Sequence, residues 1–422
     1  MVVYVINKHG KPLMPCSPRK ARILLKTGKA KVIKRTPFTI KLLYGSSGYK
    51  QPLTHGIDTG SDKIGSAVVN DKEEVVYMSE ITIRNDIVDK MKQRSKYRRN
   101  RRNRKTRYRK ARWANRKNSR RKDRFSPTMI SKFNSHFKEI NFVKSILPVT
   151  KLIIETGNFD LHLMKNPALY NEKIKKWAYQ RGTNYGFANT KAFVLDRDSY
   201  KCLHCKGKSK DKRLEVHHII FRSNNGSDEP DNLITLCKTC HDMVHDGKIV
   251  INGGKVKGNL KHATQMNSIR VQLLKRLPEA EETFGYITKE HRQLFELPKE
   301  HYIDAVVIAC QGDPAYFNKT KDVIYKRCVS KGDYQQTKGI RSEKRIPTGK
   351  LFGFRKFDKV KYLGKEYFIK GRRSSGYFVL MGINNIAVNL KPIPKFNKMR
   401  RIASRKSWIS EVRRSIPVLS KS

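Results

Sequence analysis

Residues 201–245, KCLHCKGKSKDKRLEVHHIIFRSNNGSDEPDNLITLCKTCHDMVH, contain two Cys-x-x-Cys pairs. The first pair is Cys202 and Cys205, the second is Cys237 and Cys240, and 31 residues separate the two pairs. A two-residue spacer lets both sulfurs of a pair face one ion, and four thiolates satisfy tetrahedral zinc. The spacing therefore predicts a structural zinc site that braces this segment.

Four further histidines stand between or just after these pairs. His217 and His218 end a predicted strand, where successive side chains point in opposite directions. His241 and His245 are four residues apart on a predicted helix and so share one face. One imidazole from the strand and two from the helix would form a triangle around a second metal ion. The alternative is a zinc-ribbon-like binding module in which the histidines are incidental.

Three acids outside this segment end predicted strands or lie on a predicted helix. Asp58 ends a strand in HGIDTGSDKIGSAVV, Glu155 ends the strand of LIIETGN, and Asp304 lies on the helix of EHYIDAVVIA. His301 precedes Asp304 by one helical turn and shares its face. Converging carboxylates hold two Mg²⁺ about 4 Å apart in two-metal nucleases. On spacing alone, an Asp so close to a Gly is more typical of a turn than of a metal ligand.

The composition is strongly basic, since 92 Lys and Arg against 36 Asp and Glu leave a formal net charge of +56. Residues 92–124 alone hold 19 Lys and Arg and a single acid, with interleaved Tyr and Trp and no Gly or Pro. Charge of this sign and size predicts a partner covered in phosphates. A helix in this stretch would repel itself until phosphates neutralise it. The alternative is a disordered polybasic segment or a localisation signal.

Several features bear on where the protein is found. No run of 18 or more apolar residues is present and the basic stretches lack a broad apolar face, so we expect no membrane partner. The sequence MVVYVINKHG lacks the apolar core and the cleavage site of a secretory signal. Paired cysteines fit metal ligation in a reducing compartment better than a disulfide framework. We therefore expect a soluble intracellular protein.

The order His-His, Asn, His-x-x-x-His around two Cys pairs closely resembles the HNH, or ββα-metal, nuclease motif. The resemblance implies that His218 is the general base that activates water. It implies that His217 and His241, with His245 as a third ligand, hold the catalytic divalent ion. Asn232 would tie down the loop and orient the base. A metal that stabilises the phosphorane charge and a neutral His that takes a proton near pH 7 fit this chemistry.

The segments GIDTGS…IG, IIET and HYIDA look like the three split parts of a RuvC-type, RNase H-like nuclease, with the HNH domain inserted between the second and third. With an Arg-rich helix after the first part, this order is similar to that of the IscB family of transposon-encoded nucleases. PLMP at residues 12–15 and YQRG at residues 179–182 also resemble that family. By this resemblance Asp58, Glu155, His301 and Asp304 are catalytic, and the three acids bind metal.

The fold implied is a multi-domain α/β protein with an RNase H-like (RuvC) mixed sheet split in three, an inserted ββα-metal HNH domain, an Arg-rich bridge helix and small β-rich terminal domains. The predicted boundaries are residues 1–54 for the PLMP domain, 55–88, 126–192 and 253–318 for RuvC segments I to III, 89–125 for the bridge helix, 193–252 for the HNH domain and 319–422 for a basic β-rich domain. We expect this last domain to contact RNA or the motif adjacent to the target.

The resemblance implies an RNA-guided endonuclease for double-stranded DNA, whose HNH site cuts the guide-paired strand and whose RuvC site cuts the displaced strand. The implied cofactors are two Mg²⁺ in the RuvC site, one in the HNH site and a structural Zn²⁺ on the four Cys. The implied partners are a guide RNA (the ωRNA) and the target duplex, with one protein monomer per ribonucleoprotein. The implied location is the prokaryotic cytoplasm, at the nucleoid when the protein is bound to DNA.

The bridge helix would thread between RNA and DNA, where phosphates neutralise its charge. Its predicted nucleic-acid-binding residues are Arg94, Arg98, Arg99, Arg101, Arg102, Arg104, Arg107, Arg109, Arg112 and Arg116. Two other functions stay open. An HNH homing or resolvase-type endonuclease would act without RNA and read bases through the basic tail. A non-catalytic RNA-binding protein with a zinc knuckle would explain the charge, but neither the three acids nor the histidines.

Overall fold

The structure is a computed structural model, and it describes residues 2–46, 48–103, 125–165, 184–224, 226–253, 260–317, 319–330 and 349–415. The predicted bridge helix beyond residue 103 and the YQRG stretch lie outside these residues. No helix within the described ranges combines the length and the apolar character needed to cross a membrane.

The strands, in chain order, are β1 (Val3–Ile6), β2 (Pro12–Cys16), β3 (Ala30–Lys34), β4 (Thr39–Leu42), β5 (Leu53–Asp58), β6 (Lys63–Asn70), β7 (Val75–Thr82), β8 (Lys151–Thr156), β9 (Leu214–His218), β10 (Leu233–Cys237), β11 (Glu281–Phe284), β12 (Asp322–Cys328), β13 (Lys359–Tyr362), β14 (Lys365–Arg372), β15 (Phe378–Met381), β16 (Ala387–Val388), β17 (Arg400–Ala403) and β18 (Trp408–Arg414). The helices are α1 (Pro18–Lys26), α2 (Ile87–Asn103), α3 (Pro127–Lys144), α4 (Leu161–Lys165), α5 (Thr190–Arg197), α6 (Lys238–His245), α7 (Lys261–Arg276), α8 (Gly285–Leu294) and α9 (His301–Cys310).

The chain divides into two compact units. The large unit consists of Met1–Gly157 and Gln265–Ser422, and the small unit consists of Asn158–Thr264. This mixed α/β architecture with several sheets confirms the multi-domain α/β class expected from the sequence.

The large unit is organised around a seven-stranded sheet in the order β11-β8-β5-β6-β7-β12-β18. Strands β5, β6 and β7 are antiparallel neighbours, whereas β8 runs parallel to β5 and β11 runs parallel to β8. Strand β12 runs parallel to β7, and β18 runs antiparallel to β12. Strands β5 to β7 are buried over nearly their whole length, as expected for strands that are covered on both faces.

Alternate side chains of each strand point to opposite faces of the sheet, and in the central strands both sets are buried. Helices therefore cover both faces. On one face, Ile57 and Ile64 pack in an apolar cluster with residues of α3 and α7. On the other face, α9 lies directly against β5 and β6. A Cβ at Gly56 would come within 2.3 Å of the Ala305 carbonyl oxygen, so α9 can pack this closely only over a glycine. Helix α9 is thereby held close against β5.

A buried ion pair fastens α3 to the sheet. The Nζ of Lys326 on β12 lies 2.7 Å from Oε2 of Glu139 on α3, and neither side chain is more than 1 % exposed. The hydroxyls of Tyr77 and Ser79 donate to the same carboxylate at 2.7 and 2.8 Å. Because both charges are hydrogen-bonded, the pair is tolerated in the core, and truncating one partner would leave an uncompensated buried charge.

Each end of the chain forms a further small sheet. Strands of the first 42 residues have the order β2-β1-β4-β3, and strands near the other end have the order β16-β15-β14-β13-β17. Strands β12 and β18 lie within the predicted tail domain of residues 319–422, but they extend the central sheet instead of the terminal one. Pairing with β18 covers the edge that β12 would otherwise expose.

The small unit contains a hairpin of β9 and β10 followed at once by α6. Its apolar cluster is built from Leu236 and the cysteines, with a few half-buried aliphatic side chains around them. So small a cluster buries too little apolar surface to be stable without a further constraint such as a metal.

Candidate active sites

The four cysteines converge in the small unit. Cys202 and Cys205 lie on a turn before the hairpin, Cys237 ends β10, and Cys240 lies in the first turn of α6. Their sulfur atoms all lie within 4.8 Å of one another. The Sγ atoms of Cys205 and Cys237 are 3.8 Å apart. Zinc–sulfur bonds of about 2.3 Å in a tetrahedral site require about this separation, so the cluster fits zinc.

Loss of zinc is expected to unfold the small unit, because the cysteines form most of its buried cluster. We expect Cys240→Ser to lose most of the bound zinc and to make residues 184–253 sensitive to proteolysis. Elemental analysis and limited proteolysis measure the two effects. Cys16→Ser, a change in the N-terminal sheet, is the matched control and should keep its zinc. A Cys240→Ser protein that resists proteolysis without zinc would contradict the prediction.

A second cluster, called here the histidine triangle, consists of His217 on β9 with His241 and His245 on α6. Their ligand nitrogens all lie within 4.8 Å of one another. His217 is only 3 % exposed, and its Nε2 has no hydrogen-bond partner among the described residues. Burial, followed by the charges of the neighbouring histidines, lowers the pKa of His217 to about 4. A neutral, buried and unpartnered nitrogen facing two imidazoles is a donor set that fits a divalent cation.

His218, the next residue of β9, has a different partner. Its Nε2 lies 2.9 Å from Oδ1 of Asp228, and Nε of Arg222 donates to the same oxygen at 2.7 Å. If Nε2 carries the proton that Asp228 accepts, Nδ1 keeps its lone pair and can act as a base. Sequence reasoning missed Asp228. The loop carries three acids in SDEPD, and nothing in their spacing indicates which one returns to the histidine.

Asn232 closes the loop between β9 and β10. Its Oδ1 accepts from the Ile220 N–H at 2.9 Å, and its Nδ2 donates to the carbonyls of Ile220 and Ser227 at 3.0 and 2.8 Å. A Cβ at Gly226 would lie 1.8 Å from the Ile220 carbonyl oxygen, so the loop closes only around a glycine. The asparagine thus holds in place the loop that carries Asp228.

The large unit contains the other predicted residues, called here the acidic site: Asp58, Glu155 and Asp304 with His301. Asp58 and Glu155 are register partners on the adjacent parallel strands β5 and β8. His301 begins α9, with Asp304 one turn later, and His301 Nδ1 lies 2.6 Å from Asp58 Oδ2. Within the described ranges, the three acids do not form a group whose ligand atoms all lie within 4.8 Å.

Helix α8 supplies two contacts to the acidic site that sequence reasoning missed. Nε of Arg292 lies 2.8 Å from Oδ1 of Asp304, and the Thr288 hydroxyl donates to the carboxylate of Glu155. Thr288 and Arg292 are four residues apart and so share one helix face. A Cβ at Gly285, one turn earlier, would lie 3.0 Å from Oε1 of Glu155. No sequence pattern signals this face, because its role depends on where α8 packs.

Burial and mutual repulsion raise the pKa of the carboxyls in the acidic site. Burial first, and the charge of Asp58 second, raise the pKa of Glu155 to about 7 and that of Asp304 to about 6. Burial also raises the pKa of Asp58, although its hydrogen bond with His301 opposes the rise. Divalent cations would supply the missing positive charge and favour the ionised forms, so this donor set fits a divalent cation that prefers oxygen ligands.

Glu155→Gln is expected to stabilise the metal-free protein above neutral pH. Because the pKa of Glu155 is raised from 4.5 to about 7, the folded state binds more protons than the unfolded chain between these values. The free energy of unfolding therefore falls as pH rises through this window, and a Gln at this position removes that loss. Thermal unfolding in EDTA should show a higher melting temperature for the variant at about pH 8 and a smaller difference at about pH 4. Glu290→Gln on the exposed side of α8 should match the parent; a lower melting temperature for Glu155→Gln at about pH 8 refutes the argument.

The predicted nucleic-acid-binding arginines are only partly described. Arg94 and Arg99 are exposed on α2 and Arg98 is half-buried there, so the basic stretch is helical as far as residue 103. The side chains of Arg101 and Arg102, at the end of α2, lie outside the described part. The remaining predicted arginines lie outside the described residues altogether: Arg104, Arg107, Arg109, Arg112 and Arg116.

Two protein-family models match the chain. Residues 3–182 match the model described as RRXRR protein, and residues 202–247 match the model described as HNH endonuclease. The HNH match contains the four cysteines and the histidine triangle.

Three curated proteins are similar to parts of the chain. A mutS homologue of Acanthamoeba polyphaga mimivirus is 30 % identical over 109 residues, which is 22 % of this chain and 10 % of that protein. The type IV methyl-directed restriction enzyme EcoKMcrA of Escherichia coli is 37 % identical over 65 residues, which is 14 % of this chain and 23 % of that protein. Anaredoxin of Nostoc sp. is 34 % identical over 59 residues, which is 14 % of this chain and 75 % of that protein.

Two solved structures of Streptococcus thermophilus Cas9 are also similar. In complex with the AGAA PAM, that protein is 13 % identical, with 58 % of this chain and 32 % of that chain covered and a TM-score of 0.34. In complex with AGGA PAM the identity is 14 % and the TM-score 0.33 over the same shares. The chain thus spans about a third of the length of the Cas9 chains. It spans a tenth of the mutS homologue and about a quarter of EcoKMcrA.

Proposed function

We propose that this chain, which carries an HNH endonuclease domain and an RRXRR protein region, is an RNA-guided endonuclease. It would cut the two strands of duplex DNA with two different active sites. One observation carries the proposal: the chain holds two chemically distinct sites in two units, the histidine triangle beside His218 and the acidic site around Asp58. Neither a binding module nor a single-site nuclease accounts for both.

The first site would act through His218. Its Nε2 is engaged by Asp228, so Nδ1 takes the proton from the attacking water. The histidine triangle would hold one divalent cation, which supplies charge stabilisation for the phosphorane and the leaving oxygen. Asp228 orients the base, and Asn232 holds the loop that carries Asp228. By resemblance to the IscB family, this site cuts the guide-paired strand.

The second site is proposed to be RuvC-type. The strand order β7-β6-β5-β8-β11, with three antiparallel strands followed by two parallel ones, supports an RNase H-like sheet. Asp58 and Glu155 stand near the carboxyl ends of its first and fourth strands in chain order, and Asp304 on α9 is near enough for its charge to act on Glu155 and to be acted on by Asp58. These carboxylates would hold two Mg²⁺, which supply an activated water and a stabilised leaving oxygen. This site cuts the displaced strand.

A guide RNA is the partner that the charge supports. A net charge of +56 favours partners covered in phosphates, and exposed arginines of α2 begin the basic stretch. Base pairing of the RNA with one strand would select the target, while the protein holds the heteroduplex by its backbone. The basic tail would contact RNA or DNA adjacent to the target, and one monomer would act in each ribonucleoprotein.

Cleavage without RNA is the second candidate function. The similarity of 65 residues of this chain to EcoKMcrA, a restriction enzyme by its name, favours it over a non-catalytic RNA-binding protein. A single experiment separates the three functions. The purified full chain is incubated with Mg²⁺ and duplex DNA, with and without RNA copurified from cells that express the gene and its neighbouring DNA.

The proposal expects cleavage of both strands only with RNA, and only in DNA that matches the RNA. Sequence-specific cutting of equal rate without RNA would overturn the guided mechanism in favour of a homing or resolvase-type endonuclease. RNA binding with no cutting under either condition would support the non-catalytic alternative.

A further inference from the structure

A row of cross-strand partners runs through the acidic site. Its members, in order across the sheet, are Thr283, Glu155, Asp58, Gly65, Glu80 and Tyr325. Partners in one row project from the same face, and neighbouring strands are about 4.8 Å apart. Glu80 is therefore a third acid of the row, about 10 Å from Asp58 across the intervening glycine.

The start of α9 fills the space above that glycine. A Cβ at Gly65 would lie 1.8 Å from the carbonyl oxygen of His301 and 3.2 Å from the Cβ of Asp58. The backbone of His301 is thus fixed over the gap between Asp58 and Glu80. In this structure the imidazole lies toward Asp58, with a separation of 2.6 Å between Nδ1 and Oδ2. Rotation about the side-chain bonds of His301 would turn the ring toward Glu80.

Glu80 is buried and incompletely paired. Its side chain is 6 % exposed, and Oε1 lies 2.8 Å from Nζ of Lys63. Its other oxygen, Oε2, is buried and has no hydrogen-bond partner among the described residues. Buried acceptors are nearly always satisfied in folded proteins, so an orphan beside a catalytic site requires an explanation.

We infer that Glu80 is an alternative hydrogen-bond acceptor for His301. When Asp58 binds a cation, the imidazole of His301 would leave Asp58 and donate its hydrogen bond to Glu80. The inference rests on the proposed function, in which Asp58 is a metal ligand. An oxygen of Asp58 that is hydrogen-bonded to His301 is a poor metal ligand. If the imidazole donates to Oε2 of Glu80 instead, that oxygen of Asp58 is free to bind the cation, and Oε2 of Glu80 gains the hydrogen-bond partner that it lacks. Glu80 is a positioning residue, since it acts through His301 and contacts no substrate.

Manganese binding to the full chain tests this role without any measurement of activity. His241→Ala serves as the parent, so that the histidine triangle does not contribute to binding. We expect Glu80→Gln in this parent to weaken Mn²⁺ binding about tenfold, as removal of a group that supports a metal ligand typically does. Glu74→Gln is the matched control, because Glu74 is part-buried and, like Glu80, is paired with a lysine, in this case Lys319 at 3.3 Å. Equal Mn²⁺ affinity for Glu80→Gln and the parent would overturn the inference.

Two further measurements separate this role from a merely structural one. In a His301→Ala background, Glu80→Gln should cause no additional loss of Mn²⁺ affinity, whereas an additive loss would overturn the inference. A structure of the parent with Mn²⁺ should show the imidazole of His301 hydrogen-bonded to Glu80. An imidazole that is still hydrogen-bonded to Asp58 would overturn the inference. This test does not require the Glu80→Gln variant to fold. If Asp58→Asn leaves Mn²⁺ binding unchanged, the acidic site is not a metal site, and the proposed function fails there together with the inference.

Discussion

His218→Ala is expected to abolish cleavage of the guide-paired strand and to leave cleavage of the displaced strand at the parent rate. The Nε2 of His218 lies 2.9 Å from Oδ1 of Asp228, so its loss would remove both the proposed base and the contact that orients it. General base catalysis typically contributes 10²–10⁴-fold, and we expect a fall of about 10³-fold in the rate of that strand. The variant should therefore produce a nicked duplex.

The measurement uses a duplex with a different label on each strand, incubated with the ribonucleoprotein and Mg²⁺. His9→Ala, a change at an exposed turn of the N-terminal sheet, is the matched control and should cut both strands. Double-strand breaks at the parent rate with His218→Ala would show that the base is another residue.

Asp58→Ala is expected to have the complementary effect, with loss of displaced-strand cleavage and retention of guide-paired-strand cleavage. Asp58 is the acid that contacts His301 and is the register partner of Glu155, so its removal leaves the acidic site without its central carboxylate. Loss of a carboxylate that would hold the proposed Mg²⁺ should reduce the cleavage rate of that strand by about 10³-fold or more.

The same labelled duplex measures this effect. Asp71→Ala, in the exposed turn between β6 and β7, is the matched control and should cut both strands. The double variant His218→Ala with Asp58→Ala should cut neither strand. Residual cutting of one strand by the double variant would reveal a further active site, and loss of both strands in Asp58→Ala alone would show that the two sites are not independent.

Much of the small unit could be predicted from local sequence. Its candidate metal ligands lie within 45 positions, on a turn, the hairpin after it and the helix that follows. Hairpin pairing and the helical repeat are local geometries, so spacing alone places His241 and His245 on one face and brings the Cys pairs together. Asp228 escaped prediction because the path of an irregular loop has no such repeat.

Less of the acidic site could be predicted. The predicted strand ends identified Asp58 and Glu155 as candidates. Their direct pairing, however, requires β5 and β8 to lie side by side, although the basic stretch and α3 separate these two strands in the sequence. Arg292 and Thr288 could not be found, because only the packing of α8 turns that face toward the acids. The assignment of β12 and β18 to the central sheet was also missed, since an alternating apolar pattern does not say which sheet a strand joins.

The amino-acid sequence by itself determined the chemistry of this protein: which thiols, imidazoles and carboxylates are present, and which of them share a turn, a hairpin or a helix face. Only the tertiary structure decided which distant groups meet. It set Glu80 in one row with Asp58 across Gly65, and it placed His301 between the two acids. The reason is physical, because strand register and helix position follow from burying apolar surface contributed by segments that are far apart in the chain.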